Sequence, residues 1–97
     1  MARAVVPPPD GGYPNNNTAE GDSALFNLTN GLDNTAIGFQ ALFLNTEGDF
    51  NTASGADALA GNHGSFNTAN GYQALYFNTT GSRNTAEGFQ ALFHNIG

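Results

Sequence analysis

The groups in this 97-residue chain that could do chemistry are two histidines, eight carboxylates and three Asn-x-Thr triplets. A metal centre needs several ligands converging on one point. His63 and His94 fall in different copies of an internal repeat and at different positions within it, so both are expected to serve surface or packing roles. A calcium-binding repeat would bring an acidic residue to one place in every copy. Here Glu20 and Glu87 share a place that Ile37, Ser54 and Asn70 fill elsewhere. Nothing in the spacing points to a catalytic carboxylate pair. There is no Gly-x-Ser-x-Gly elbow and no phosphate loop with a lysine. Cysteine is absent, which removes disulfides and thiolate metal sites and leaves the redox compartment unspecified. The triplets beginning at Asn16, Asn27 and Asn78 match the glycosylation pattern, but a chain so rich in Asn and Thr produces such matches easily. The expectation is a protein with no catalysis, no cofactor and no metal.

Composition narrows the partners. Net charge is -6 and the only Lys or Arg residues are Arg3 and Arg83. Affinity for nucleic acid rests on Lys and Arg against phosphates, so nucleic acid is not an expected partner. A basic helix lying on a membrane is excluded on the same ground. No apolar run approaches the ~20 residues of a membrane-spanning helix. The segment from Met1 through Pro9 lacks the long apolar stretch of a secretory signal, so the chain is either intracellular or exported by a signal outside this sequence.

The elements that position these groups come from the repeat. Asn-Thr-Ala begins at Asn17, Asn34, Asn51, Asn67 and Asn84, in steps of 17, 17, 16 and 17 residues by difference of those numbers. The shared core is N-T-A-x-G-x-x-A-L. Fixed-period self-similarity is the signature of stacked repeats. Seventeen residues are too few for a helix-turn-helix unit, and two copies taken together lack the landmarks of the 34-residue tetratricopeptide. Gly, Asn and Thr also disfavour helices. A parallel β-solenoid of about five coils of 16–17 residues fits better, so the fold class is all-β. Each coil would trace ~56 Å, enough for two or three short sides, and coils would stack ~4.8 Å apart.

Roles within a coil follow. Ala19, Ala36, Ala53, Ala69 and Ala86 point inward. Thr18, Thr35, Thr52, Thr68 and Thr85 alternate with them and face out. Gly21, Gly38, Gly55, Gly71 and Gly88 turn the corner. Leu25, Leu42, Leu59, Leu75 and Leu92 form the main apolar column, each contributing ~1.5–3 kcal/mol if fully buried. Asn17, Asn34, Asn51, Asn67 and Asn84 suit a stacked amide ladder, each side chain donating to the next and accepting from the last. Phe39, Leu42 and Phe43 stand at i, i+3 and i+4, so a single helical or 3₁₀ turn per coil is an open alternative to a second strand.

Residues 1–16 lie outside the repeat, and residues 17–97 form the five-copy solenoid. Pro7-Pro8-Pro9 and the Gly-Gly-Tyr-Pro turn that follows read as an extended arm or a disordered tail, with Val5, Val6 and Tyr13 available to bury. The third copy departs most. It carries Ala56 and Ala60 where the second, fourth and fifth have aromatics, and it is one residue short near Gly61-Asn62-His63-Gly64. No cap is evident, and the last copy stops at Ile96-Gly97 partway through a coil. An uncapped stack is expected to associate end to end or side by side. Eight Phe and three Tyr exceed what a thin coil can hide, so some should meet partners.

Asn34-Thr35-Ala36-Ile37-Gly38, with the intervening Asn-Thr-Thr-Gly and Asn-Thr-Glu-Gly runs, resembles the head repeats of trimeric autotransporter adhesins and the repeat shafts of phage tail-fibre-like surface proteins. The resemblance covers residues 17–97. It implies a left-handed parallel β-roll, trimeric, at the cell or virion surface, attaching to matrix or glycans. The coil here is longer than the adhesin unit and richer in aromatics. The leading expectation is a structural, self-associating surface module forming a trimer or filament. The alternative is an ice- or crystal-binding solenoid that uses the Thr column, although only one Thr rank recurs strictly. A carbohydrate-processing β-helix enzyme is disfavoured, because five coils make too short a groove.

Overall fold

The structure, a computed structural model, describes residues 14–95. Segments 1–13 and 96–97, which hold Pro7-Pro8-Pro9, Tyr13 and Ile96-Gly97, lie outside the described residues.

Alternating Thr-Ala-x, with a β-branched residue leading, makes one short strand per copy. These are β1 (Thr18–Glu20), β2 (Thr35–Ile37), β3 (Thr52–Ser54), β4 (Thr68–Asn70) and β5 (Thr85–Glu87). They form one parallel sheet in sequential order. Register is strict: Thr35 pairs with Thr52 and Ala36 with Ala53, and the 16-residue step keeps Thr52 on Thr68. The chain is therefore an all-β solenoid of stacked coils. Its alanines face the core, fully buried at Ala36, Ala53 and Ala69, while the threonines face out.

Pairing begins slightly upstream of the repeat. The Asp33 amide donates to the Asn15 carbonyl at 3.0 Å, so Asn15 and Asn16 already belong to the first level of the stack. Asn15 (φ 65°) and Asn16 (φ 63°) turn the chain in left-handed conformations just before β1.

Only one side of each coil is strand. After the glycine corner, where Gly38 has φ 125°, the chain runs through overlapping four-residue turns and makes no helix. The Ala41 amide donates to Gly38 O at 3.2 Å, Phe43 to Gln40 O at 3.2 Å and Asn45 to Leu42 O at 3.1 Å. Gln40 (φ 58°) and Leu42 (φ 53°) occupy the third place of their turns, the place where a type II turn requires positive φ. Amides between these bond to neighbouring coils: Gln40 N to Asp22 O at 2.9 Å, Leu42 N to Ala58 O at 3.0 Å and Leu44 N to Ala60 O at 2.8 Å. The helical spacing of Phe39, Leu42 and Phe43 thus arises from a turn ribbon. Its alternation of left-handed with other residues turns Leu42 inward and Phe39 outward.

The core is thin. Leu42, Leu59 and Leu75 are fully buried, and Leu25 is nearly so. Leu92 is 50% exposed, so the column does not extend as a buried column into the fifth coil. A left-handed conformation costs a non-glycine residue roughly 1–2 kcal/mol. Complete burial of a leucine returns about 1.5–3 kcal/mol. Burial exceeds strain at Leu42, Leu59 and Leu75, which is why leucine persists at a backbone position that favours glycine.

Leu59→Asp should abolish the cooperative unfolding transition seen by circular dichroism, because it buries a carboxylate with no partner. Leu92→Asp should leave that transition within about 1 kcal/mol of the parent. Equal effects of the two substitutions would contradict the column described here.

Candidate functional site

Three features stand out on the solenoid: the interior asparagine columns, the outward Thr face and the aromatic flanks. The first holds the other two in place.

Asn17, Asn34, Asn51 and Asn67 are buried, and Asn84 is partly buried. They do not form the expected amide-to-amide ladder. Each side-chain oxygen accepts the backbone amide of the next copy's asparagine: Asn34 N to Asn17 Oδ1 at 2.8 Å, Asn51 N to Asn34 Oδ1 at 2.8 Å, Asn67 N to Asn51 Oδ1 at 3.0 Å and Asn84 N to Asn67 Oδ1 at 3.0 Å. Each side-chain NH2 turns across its own coil to a glycine carbonyl: Asn17 to Gly31 at 2.8 Å, Asn34 to Gly48 at 2.7 Å, Asn51 to Gly64 at 2.9 Å and Asn67 to Gly81 at 2.8 Å. The backbone takes the oxygen because it is the nearer donor in a parallel stack.

The true amide ladder lies in a second column that the Asn-Thr-Ala alignment does not mark. Asn62 Nδ2 donates to Asn45 Oδ1 at 3.0 Å, Asn78 Nδ2 to Asn62 Oδ1 at 2.7 Å and Asn95 Nδ2 to Asn78 Oδ1 at 2.7 Å. Asn45, Asn62 and Asn78 also donate to Gly48, Gly64 and Gly81, so each of those carbonyls receives both columns. A Cβ at Gly48 would collide with the Gly64 carbonyl in the next coil. The signal in the sequence is Asn followed two or three residues later by Gly, at Asn45-Thr46-Glu47-Gly48, Asn62-His63-Gly64 and Asn78-Thr79-Thr80-Gly81. The first copy has Leu28 at this place. The missing residue of the third copy falls inside this loop and leaves the inward carbonyl intact.

Burial bears on the glycosylation triplets. Asn78 is fully buried in the ladder and closed to modification in the folded chain, whereas Asn16 is exposed. Half-buried Asn27 spends its side-chain NH2 on Phe43 O at 2.9 Å.

On the strand face, Thr18, Thr35, Thr52, Thr68 and Thr85 stand in one register line. The second outward rank is Glu20, Ile37, Ser54, Asn70 and Glu87, which carries no one chemistry from coil to coil. His63 is exposed, and His94 stacks on Phe77 with ring centroids 4.9 Å apart. Among the described residues, no group of three or more His, Cys, Asp or Glu could hold a metal ion. No helix among them is long and apolar enough to cross a membrane.

The aromatics form columns on the outside. Phe26 stacks on Phe43 at 5.7 Å, Tyr76 on Phe93 at 5.1 Å, Tyr72 on Phe89 at 5.5 Å and Phe50 on Phe66 at 4.9 Å. Arg83 lies over the Phe66 ring, 5.3 Å from its centroid. Phe26 and Phe89 are the most open, at 68% and 71% exposure. Ala60-Gly61 interrupts the columns at the third level, leaving a cleft of about 240 Å³ between Phe43 and Leu44 on one side and Tyr76 and Phe77 on the other, with Gln40 at its edge. A further irregularity of that coil is Asp57, whose Oδ1 is buried without a hydrogen-bond partner. Gln40 and Gln73 hold its place in the adjacent coils, and Gln90 Nε2 donates to Gln73 Oε1 at 2.9 Å.

Asn62→Leu should lower unfolding free energy by about 2–4 kcal/mol, since it strands several buried amide partners at once. Asp57→Gln should raise it by about 1 kcal/mol by removing an unsatisfied oxygen and continuing the glutamine row. Urea titration of both variants checks these signs. Comparison with family models, with curated proteins and with solved structures returns no match for this chain.

Proposed function

We propose that this chain is a structural, self-associating surface module, an adhesin-head or fibre-shaft type of repeat that assembles into a trimer or filament and performs no catalysis. The observation that carries the reading is the set of ring columns on the outside of the solenoid. Seven of the large aromatics, Phe26, Phe39, Phe50, Phe66, Tyr72, Phe77 and Phe89, are between 42% and 71% exposed. They fall in several short columns along the stack, such as Tyr72 on Phe89 and Phe50 on Phe66, so a second solenoid laid alongside could meet stacked rings. Stacked rings are large, rigid contributors to interfaces. The interior offers little room for a site, since its wall-to-wall contents are Ala, Leu and paired Asn. The resemblance of the repeat to surface adhesins and fibres supports an extracellular or virion-surface setting, with glycan or matrix as the attached surface.

A second reading, binding to ice or another crystal face, is favoured by the in-register Thr line on a parallel sheet. The irregular second rank weighs against it.

Sedimentation should give a mass above the monomer at high concentration, and Phe50→Ser with Phe66→Ser should shift the chain toward monomer while its circular dichroism is retained. A well-folded chain that stays monomeric at every concentration would defeat the assembly reading. Thermal hysteresis that disappears on Thr52→Tyr would decide for the crystal-binding one.

A further inference from the structure

The notch at the third coil has a size and a chemistry of its own. One column reads Phe26, Phe43, Ala60, Tyr76, Phe93 along the stack, two stacked pairs separated by a missing ring. Beside it, Gly61 stands between Leu44 and Phe77. The backbone is not disturbed there: Leu44 N donates to Ala60 O at 2.8 Å and Gly61 N to Tyr76 O at 2.8 Å. The vacancy is therefore one of side chains alone, held open by a regular scaffold.

Phe43 and Tyr76 are two coils apart, so their backbone levels are separated by about 10 Å, twice the ~4.8 Å spacing. Rings at adjacent levels of this column lie 5.1–5.7 Å apart, so the empty level has room for a group about as wide as a ring. Centred in the notch, the nitrogen of a tetrahedral ammonium bearing methyl groups would sit about 5 Å from each ring, inside the ~6 Å reach of a cation–π contact. Phe77 lies beside Tyr76 on the same side of the cleft, with its ring at 78° to Tyr76 and the centroids 4.5 Å apart. No Lys or Arg lines the cleft, and the chain's net charge of -6 draws a cation toward it. Three aromatic rings therefore line the cleft, Phe43 on one side and Tyr76 and Phe77 on the other.

We propose that the notch bounded by Phe43, Ala60, Gly61, Tyr76 and Phe77 is a binding site for a quaternary ammonium group of the choline or trimethylated-amine type. Ala60 and Gly61 are the specificity residues, because their small size creates the space. The rings supply the attraction. The site is shallow and has few hydrogen-bond donors, so affinity is in the millimolar range, as about two cation–π contacts allow.

The test is a titration of the full chain with choline chloride, followed through the Ala60 methyl and Gly61 amide resonances. Its uncharged carbon isostere, 3,3-dimethylbutan-1-ol, runs in parallel. Choline should give a saturating shift, and the isostere should bind at least about 10-fold more weakly. Ala60→Phe completes the column, should keep the cooperative unfolding transition and should lose the choline response. Tyr76→Leu should weaken binding about 5-fold or more and provides an answer even if the bulkier variant misfolds. Equal binding of choline and isostere would reduce the notch to an apolar groove. An unchanged response in Ala60→Phe, or no saturating shift in the parent, would likewise overturn the assignment.

Discussion

Everything in this molecule depends on the backbone hydrogen bonds that tie each coil to the next at the same height. They are not confined to the five strands. Thr35 N reaches Asn51 O at 2.8 Å on the strand side, Leu42 N reaches Ala58 O at 3.0 Å in the turn ribbon, and Phe50 N reaches back to Leu32 O at 3.0 Å before the next strand. Donors point to the following coil at some positions and to the preceding one at others, so an interior coil is clamped from both sides. Residues with the same role must then lie directly over one another. The columns of Ala, Leu, Asn and aromatic residues are consequences of that constraint.

The same constraint explains choices that a single coil would not favour. Leucine in a left-handed conformation is costly, yet Leu42, Leu59 and Leu75 hold it because the turn ribbon must alternate in hand to expose amides to its neighbours. Complete burial offsets the cost. In so thin a core, polar groups cannot be avoided, since the turns aim carbonyls inward at Gly48, Gly64 and Gly81. Two asparagine columns satisfy those carbonyls together. A buried amide is tolerable only when its hydrogen bonds are met, and here the stack meets them by repetition.

A periodic scaffold makes any departure local and therefore conspicuous. The third coil loses three bulky side chains and one loop residue, but its strand pairing and its inward Gly64 carbonyl are unchanged. What changes is the outer surface: a continuous row of rings becomes two stacked pairs flanking a gap. Repetition supplies the surface for self-association proposed here. Interruption supplies a concave feature lined by Phe43, Tyr76 and Phe77.

By itself the sequence determined the unit, its period, the parallel in-register stack, the inward Ala column, the Leu column from Leu25 to Leu75 and the outward threonines. All of these follow from which residue types recur at which spacing, and spacing survives without coordinates. Two points needed the tertiary structure. Phe39, Leu42 and Phe43 share one spacing whether the segment is a helix or a ribbon of alternating turns, and only the hydrogen bonds to neighbouring coils select the ribbon. The amide ladder expected of the Asn-Thr-Ala asparagines lies instead in the Asn45, Asn62, Asn78 column, because a side-chain amide can pair with another amide or with backbone. Which it does depends on where the next coil places its nearest donor. The notch at Ala60-Gly61 was visible as a substitution. That it is a walled gap rather than a collapsed one follows from backbone rigidity across three coils, which no single segment encodes.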